Sequence, residues 1–391
     1  QRPAEELPPV PVNQTQIPFE EYEGLSKEEI KLREKEIKNK EKELNLEEAK
    51  SKRKDALLEQ FIKENGKIYI ILQNQQKILM PDNVTRVPAL MLLNQNYKVI
   101  RYDSEMLLPT PSFSDFAVKI AKENECESVL FGASSPLGLL SKTLKKNGIK
   151  KTVAITHGHE VGWSFTPGLK QTFQKIVKDN DNLTYLTKFT YQKISEAIDS
   201  DQLTKFEQLT PGIDIEMFNP TKKENQKTLD LKNRLKLNNK LVVTCVSRLM
   251  PRKGQDTLIE IWPQIIKEIP NAHLLIVGGG NYKQYLHKLM FDKDVYKSVT
   301  ITGSVNWTDL PNYYAVADLF AMPVRTRNLG FDVEGLGIVY LEASATGLAV
   351  IAGNSGGAPD AVIEGVTGYV MDSSLKNELA EKIIYLLKNK Y

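Results

Sequence analysis

The chain is 391 residues long and 41% hydrophobic, and its 52 Lys and Arg against 49 Asp and Glu leave a net charge of +3. That length is too great for one ordinary core and suits two domains plus an extra segment, while the near-balance of charge excludes a field that would steer the whole molecule to nucleic acid. Two distant cysteines, Cys126 and Cys245, and four histidines without ligand spacing exclude a disulfide framework and leave little for a structural zinc site, so a reducing, intracellular compartment fits.

Gln1 stands first instead of Met, which reads as a processed, trimmed or incomplete chain. Residues 1–24 carry five prolines (Pro3, Pro8, Pro9, Pro11, Pro18) and no apolar periodicity, the pattern of an extended arm that orders on a partner surface. Residues 26–64 hold 23 charged side chains in 39 positions. Ser26 followed by Glu28 and Glu29 predicts the start of a long charged helix, free of Pro and Gly until Gly66. Ile30, Ile37 and Leu44 repeat at seven but mostly lack d-type partners, so a solvated or partner-docked helix fits better than a coiled coil. Protein partners are accordingly expected through residues 1–65.

From Lys67 short β-rich runs alternate with helical stretches, which predicts parallel sheets covered by helices. KIYIIL (67–72), YKVIRY (97–102), SVLFGA (128–133), TVAITHG (152–158) and LTYLT (183–187) form a first series, assigned to a Rossmann-like domain over 66–218. The polar stretch 219–239 reads as an interdomain connection. LVVTCVS (241–247), HLLIVGG (273–279), SVTITG (298–303), DLFAMP (318–323), LAVIAG (348–353) and GYVMD (368–372) form a second series, assigned to a second doubly wound domain over 240–391. No apolar run reaches the ~18–20 residues of a membrane span, so any membrane contact is expected to be peripheral.

Three segments carry chemistry. SRLMPRKGQD (247–256) lies between a buried strand and the amphipathic run DTLIEIWPQIIKEI, and brings Arg248, Arg252, Lys253 and free helix N-terminal amides to one point. That suits a diphosphate through charge and helix dipole, with a solvated loop as the plain alternative. In GFDVEGLGIVYLEASATG (330–347), Gly335 and Gly337 predict a helix start, with Glu334 before it and Glu342 about two turns inside. Carboxylates so placed accept hydrogen bonds from hydroxyls while the amides face an anion; capping plus surface charge is the alternative. THGHEVGW (156–163) puts His157 and His159 at a strand end, where open α/β sheets bind ligands, but the rings at i and i+2 point apart and argue against a shared metal.

Three further features read blandly. Gly278-Gly279-Gly280 lacks the full dinucleotide spacing and predicts a tight turn. Asp179-x-Asp181 and Asp199-x-Asp201 lie in polar, turn-like sequence and only superficially resemble a metal-binding Asp-x-Asp. Lys142, Lys145, Lys146, Lys150 and Lys151 form a basic cluster that suits anionic headgroups or an ordinary solvated helix end.

Together these segments resemble glycosyltransferase family 4, retaining enzymes of the GT-B fold, from about Tyr97 to the C-terminus. SRLMPRKG, the paired glutamates in GIVYLEASATG, GNSGGAPD (353–360) and EGVTGYV (364–370) carry the resemblance. MLLPTPS (106–112), FGASSPLGLL (131–140), THGHEVGW, LTPGIDIEMFNP (209–220) and MPVRTRNLGFDVEGLGIVYLEA (322–343) are similar to the phosphatidylinositol mannosyltransferases of actinobacteria. The resemblance implies two Rossmann-like domains that close over a nucleotide-sugar donor such as GDP-mannose. It implies that Arg248 and Lys253 hold the diphosphate, Glu334 the sugar hydroxyls beside the amides of Gly335 and Leu336, and Glu342 the ribose. His157 would face the transferred sugar, and Gly303 to Val305 the base. It further implies a phosphoinositide, other lipid or polyol acceptor, retention by a front-face route, and no metal or cofactor requirement, the basic pair acting in a cation's place.

Three departures from the family pattern stand out. Residues 67–131 contain no glycine, and QNQQKILMPDN (73–83) occupies the place of a Gly-Gly loop that approaches donor phosphates closely. The sequence ends at Tyr391, before the family's helix that crosses back to the first domain, and residues 1–65 have no family counterpart. Two readings therefore stand: an active lipid-directed hexosyltransferase, or a former glycosyltransferase serving as a structural subunit, in the cytoplasm or mitochondrial matrix and peripheral at a membrane.

Overall fold

The computed structural model describes residues 71–73, 100–102, 104, 107–158, 160–330 and 332–389, all within one compact unit, Asn65–Tyr391. The expected arm and charged helix of residues 1–65, the QNQQKILMPDN stretch beyond Gln73, and His159 lie outside the described residues.

Strands β1 (Ile71–Gln73) and β2 (Ile100–Tyr102) pair in parallel. A four-stranded parallel sheet follows, formed in sequential order by β3 (Ser128–Phe131), β4 (Lys151–Ile155), β5 (Asn182–Tyr185) and β6 (Phe206–Gln208). β6 escapes the sequence reading because three residues, FEQ, show no period. The helix Pro111–Glu123 covers this layer. Pro111 pre-sets its first turn, the Thr110 hydroxyl accepts the Phe113 N–H at 3.2 Å, and Phe113, Ala117 and Ile120 bury one stripe.

The C-terminal half holds six parallel strands: β7 (Leu241–Val246), β8 (Ala272–Val277), β9 (Val299–Ile301), β10 (Leu319–Met322), β11 (Ala349–Gly353) and β12 (Gly368–Met371). Their spatial order is β12-β11-β10-β7-β8-β9. Both faces are covered, which is why β8 is buried at every position and reads as a continuous apolar run. Two helices, Gln255–Glu268 and Lys376–Lys388, pack together and are tied at their ends by Lys376–Glu260 at 2.8 Å and Lys388–Glu268 at 3.2 Å. The strand order reverses between β7 and β10, and in such sheets the crevice beyond the carboxyl ends at the reversal receives the ligand.

The stretch 219–239, read from sequence as a connection, contains the helix Gln226–Arg234. Asn225 caps it, Leu231 is buried, and Thr228 donates to the Asn312 side chain at 3.0 Å, so the helix belongs to the C-terminal layer. Its polar composition hid it, because a single buried leucine per two turns gives little period.

Candidate active site

β7 ends at Val246 and the chain enters Ser247–Gly254. Gly254 adopts φ +77 and starts the helix Gln255–Glu268, and a Cβ on it would lie 2.2 Å from the Pro323 carbonyl oxygen. Only glycine lets the loop after β7 cross so close to the exit of β10. The crossing is fastened by Arg325 N–H to the Arg252 carbonyl at 2.9 Å. Gln255 donates to Ser247 Oγ at 2.7 Å and to the Arg248 carbonyl at 2.9 Å, which fixes the backbone that carries Arg248. Gly278 (φ +142) and Gly280 approach this loop from the end of β8; Cβ atoms there would lie 1.9 Å from Ser247 O and 2.3 Å from Leu249 O. Gly278 and Gly280 are thus the packing surface behind the basic loop, and the turn expected at the three glycines falls just after them, at residues 281–282.

The cations meet Glu334 here. Lys253 Nζ pairs with Glu334 Oε2, and the two side chains are 10% and 9% exposed. Arg252 lies 3.6 Å from the same carboxylate and 3.3 Å from Asp332, whose second oxygen lies 4.0 Å from Arg327. Burial by itself would raise the Glu334 carboxyl, but Lys253, Arg252 and Arg248 outweigh it and hold it below the ordinary carboxylate range. Four cationic side chains thus surround two carboxylates, and the surplus is positive. Among the described residues the Arg248 guanidinium makes no hydrogen bond or ion pair. Sequence reasoning reads Arg252 only as part of the diphosphate-suited cluster and Asp332 not at all; both lie inside the motifs, but ion pairing across 80 positions leaves no local signal.

The opposite wall comes from the strand ends of the four-stranded sheet. His157 follows β4, is exposed, and its Nε2 lies 2.5 Å from the Gly132 carbonyl oxygen beyond β3. Buried Glu160 accepts from the His157 N–H at 3.0 Å and from Ser134 Oγ at 2.7 Å, which shapes the turn. A Cβ on Gly158 would lie 3.2 Å from Gly335 Cα, and one on Gly335 would lie 3.2 Å from the His157 carbonyl oxygen. The two halves therefore touch backbone to backbone beside Glu334.

Gly303 (φ +77) bridges Gly278, whose N–H donates to the Gly303 carbonyl at 3.0 Å, so Gly303 and Val305 sit at the same sheet end as the basic loop. Leu336 is buried and Gly335 half-buried just before the helix Ile338–Ala345. Glu342 is the fifth residue of that eight-residue helix, one turn inside and not two. It is 1% exposed and accepts the Tyr314 hydroxyl at 2.6 Å, so it faces the interior.

The blander features resolve simply. Asp181 accepts from Thr152 N–H at 2.8 Å and from Lys145 at 2.7 Å, a clasp at the start of β4 and β5; burial opposes ionisation, but Lys145 and Thr152 hold the carboxyl below its ordinary range. Lys150 of the same cluster pairs with Glu127 at 2.6 Å. Among the described residues no group of His, Cys, Asp or Glu could hold a metal, and no helix is long and apolar enough to cross a membrane.

Residues 226–391 match the family described as Glycosyl transferases group 1. The chain is 45% identical over 295 residues to the GDP-mannose-dependent monoacylated alpha-(1-6)-phosphatidylinositol monomannoside mannosyltransferase of Corynebacterium glutamicum, covering 75% of each protein. It is 42% identical over 291 residues to the GDP-mannose-dependent alpha-(1-6)-phosphatidylinositol monomannoside mannosyltransferase of Mycobacterium tuberculosis, covering 74% of each. In fold it is similar to Anabaena HepE in complex with UDP (TM-score 0.62, 20% identity, 75% and 76% of the two chains) and to a glycosyltransferase from Rickettsia africae (TM-score 0.65, 20% identity, 77% of each). These relatives lend no support to the structural-subunit alternative or to a mitochondrial location. With its two parallel sheets in the GT-B arrangement and this kinship, the chain belongs to the group 1 glycosyltransferases.

Proposed function

We propose that this protein moves mannose, with retention, from GDP-mannose to a phosphatidylinositol-linked acceptor at a membrane surface. The observation that carries the reading is the cationic surplus of Arg248, Arg252 and Lys253 around buried Glu334 at the switch point, facing His157 and Gly158. The identity of sugar, base and acceptor is supported by what the similar mannosyltransferases are named for.

In this reading Arg248 and Lys253 bind the diphosphate, and Glu334 accepts hydrogen bonds from the mannose hydroxyls beside the amides of Gly335 and Leu336. As the bond between the anomeric carbon and the diphosphate breaks, negative charge grows on the leaving oxygen, where a preorganised cation pair stabilises it most. The acceptor hydroxyl forms the new bond on the same face, and its proton passes to the leaving phosphate. His157, on the far wall, orients the sugar. Gly303 to Val305 are assigned the base. Glu342 is assigned the ribose from its motif; its burial against Tyr314 gives that role less geometric support than the Lys253–Glu334 pair has.

The test is donor choice and product stereochemistry. GDP-mannose, and not UDP-sugars, is expected to yield an α-mannosyl lipid from vesicles containing phosphatidylinositol and phosphatidylinositol monomannoside. Transfer from UDP-sugars alone, or a β-linked product, would overturn the proposal.

A further inference from the structure

The 3₁₀ turn Ala358–Ala361 follows β11 and carries Asp360, an exposed residue with no role in the site described so far. Its Oδ2 accepts the backbone N–H of Lys188 at 2.5 Å. Lys188 is the first residue of the helix Lys188–Ser195, which belongs to the four-stranded sheet's layer. A carboxylate of one half therefore caps a helix of the other. The helix has its own cap, Thr187, whose Oγ1 accepts from the Thr190 N–H at 3.2 Å and leaves the Lys188 amide to Asp360.

The same turn reaches the catalytic backbone. Asp360 N–H donates to the Gly357 carbonyl at 3.1 Å, and Gly357 N–H donates to the Glu334 carbonyl at 2.8 Å. Space there is fully used, since a Cβ on Gly357 would lie 2.2 Å from Gly335 O and 2.5 Å from Thr187 Oγ1. The Thr187 hydroxyl has one proton for two acceptors, Thr190 Oγ1 at 3.1 Å and Gly335 O at 3.3 Å. One turn thus touches the helix on one side and the Glu334–Gly335 backbone on the other.

We propose that Asp360 is a positioning residue for transfer, whose cap on the helix Lys188–Ser195 holds the wall bearing His157 and Gly158 against Glu334 and Gly335. A carboxylate at a helix N-terminus is favoured by both hydrogen bonding and the helix dipole. Enzymes that assemble a site by closing two halves depend on a few such contacts. Asp360 acts through Lys188 and touches no substrate. The proposal rests on the transferase reading above, but the contact can be read without turnover.

The experiment compares wild type with Asp360→Ala and Asp360→Glu by amide hydrogen exchange, GDP calorimetry and transfer kinetics. In Asp360→Ala the Lys188 amide is expected to exchange at least about tenfold faster. GDP affinity stays within about threefold, because the groups assigned to the diphosphate, ribose and base lie on one half, while kcat falls about tenfold or more. Asp360→Glu recovers most of both losses. Unchanged exchange at Lys188 overturns the cap, and unchanged kcat despite faster exchange overturns the positioning role. A wild type that transfers no mannose would overturn the functional reading, while exchange at Lys188 still decides whether Asp360 joins the halves.

Discussion

Lys253 and Glu334 stand 81 positions apart in sequence and form one ion pair buried at the strand-order reversal of the C-terminal sheet. Breaking a buried pair from one side strands a charge at a cost of about 3–5 kcal/mol. Lys253→Ala leaves Glu334 with Arg252 and Arg248 still near, so the fold is expected to survive with a loss at the low end of that range. GDP binding is expected to weaken by about 1.5–3 kcal/mol, the worth of a charge-assisted hydrogen bond. Calorimetry checks this, and equal affinity in both proteins would remove Lys253 from the donor site.

The glycines behind the basic loop make a second prediction. Gly278→Ala puts a Cβ 1.9 Å from Ser247 O at φ +142, a conformation L side chains rarely adopt. A loss of about 2 kcal/mol or more is expected from strain and clash together. GDP affinity is expected to fall with it, because the Ser247–Arg248 backbone must move. An unshifted urea midpoint would contradict this packing.

His273 on β8 gives the pH dependence of stability. Burial, with Lys240 nearby, pushes its pKa down to about 4, while its Nε2 lies 2.9 Å from Thr300 Oγ1. The unfolded chain takes up the proton first, near the ordinary value of about 6.5. Stability contributed by the neutral ring is therefore complete above about pH 6.5 and is lost as pH falls toward 4, by up to about 3 kcal/mol. Urea titrations at pH 7 and 4.5 measure the slope, which His273→Leu is expected to flatten. An equal slope in the variant would place the dependence elsewhere.

Cys245 is fully buried on β7, and burial pushes its thiol up to about 12. It is expected to stay unlabelled by a maleimide in the native protein at pH 7.5 and to react only in denaturant. Mass spectrometry of labelled peptides reads this directly; native labelling at Cys245 would mean that the sheet opens locally.

Much of this was legible in the residues themselves. The strands of the six-stranded sheet were readable because both faces are buried, so LVVTCV and AHLLIV stand out as apolar runs. The loops bearing Arg248, Lys253 and Glu334 were readable because glycines at strand ends announce close backbone approach, while the roles of these side chains rest on the family resemblance. The helix Gln226–Arg234 and β6 were not, because one is polar on most faces and the other is three residues long. Nor was the reach of Asp360 to Lys188, 172 positions away, since a contact between two halves leaves no pattern in either. The depth of Glu342 was misjudged by one turn because the helix begins only at Ile338, after Gly337 takes a left-handed turn.

Mannosyl transfer from GDP-mannose to vesicles containing phosphatidylinositol and phosphatidylinositol monomannoside, with wild type and Lys253→Ala side by side, tests the donor site and the reaction together. Lipid product and released GDP are expected from the wild type, and at least about a hundredfold less from Lys253→Ala. Wild-type protein that binds GDP-mannose yet forms no mannosyl lipid, or a Lys253→Ala variant as active as wild type, would contradict it.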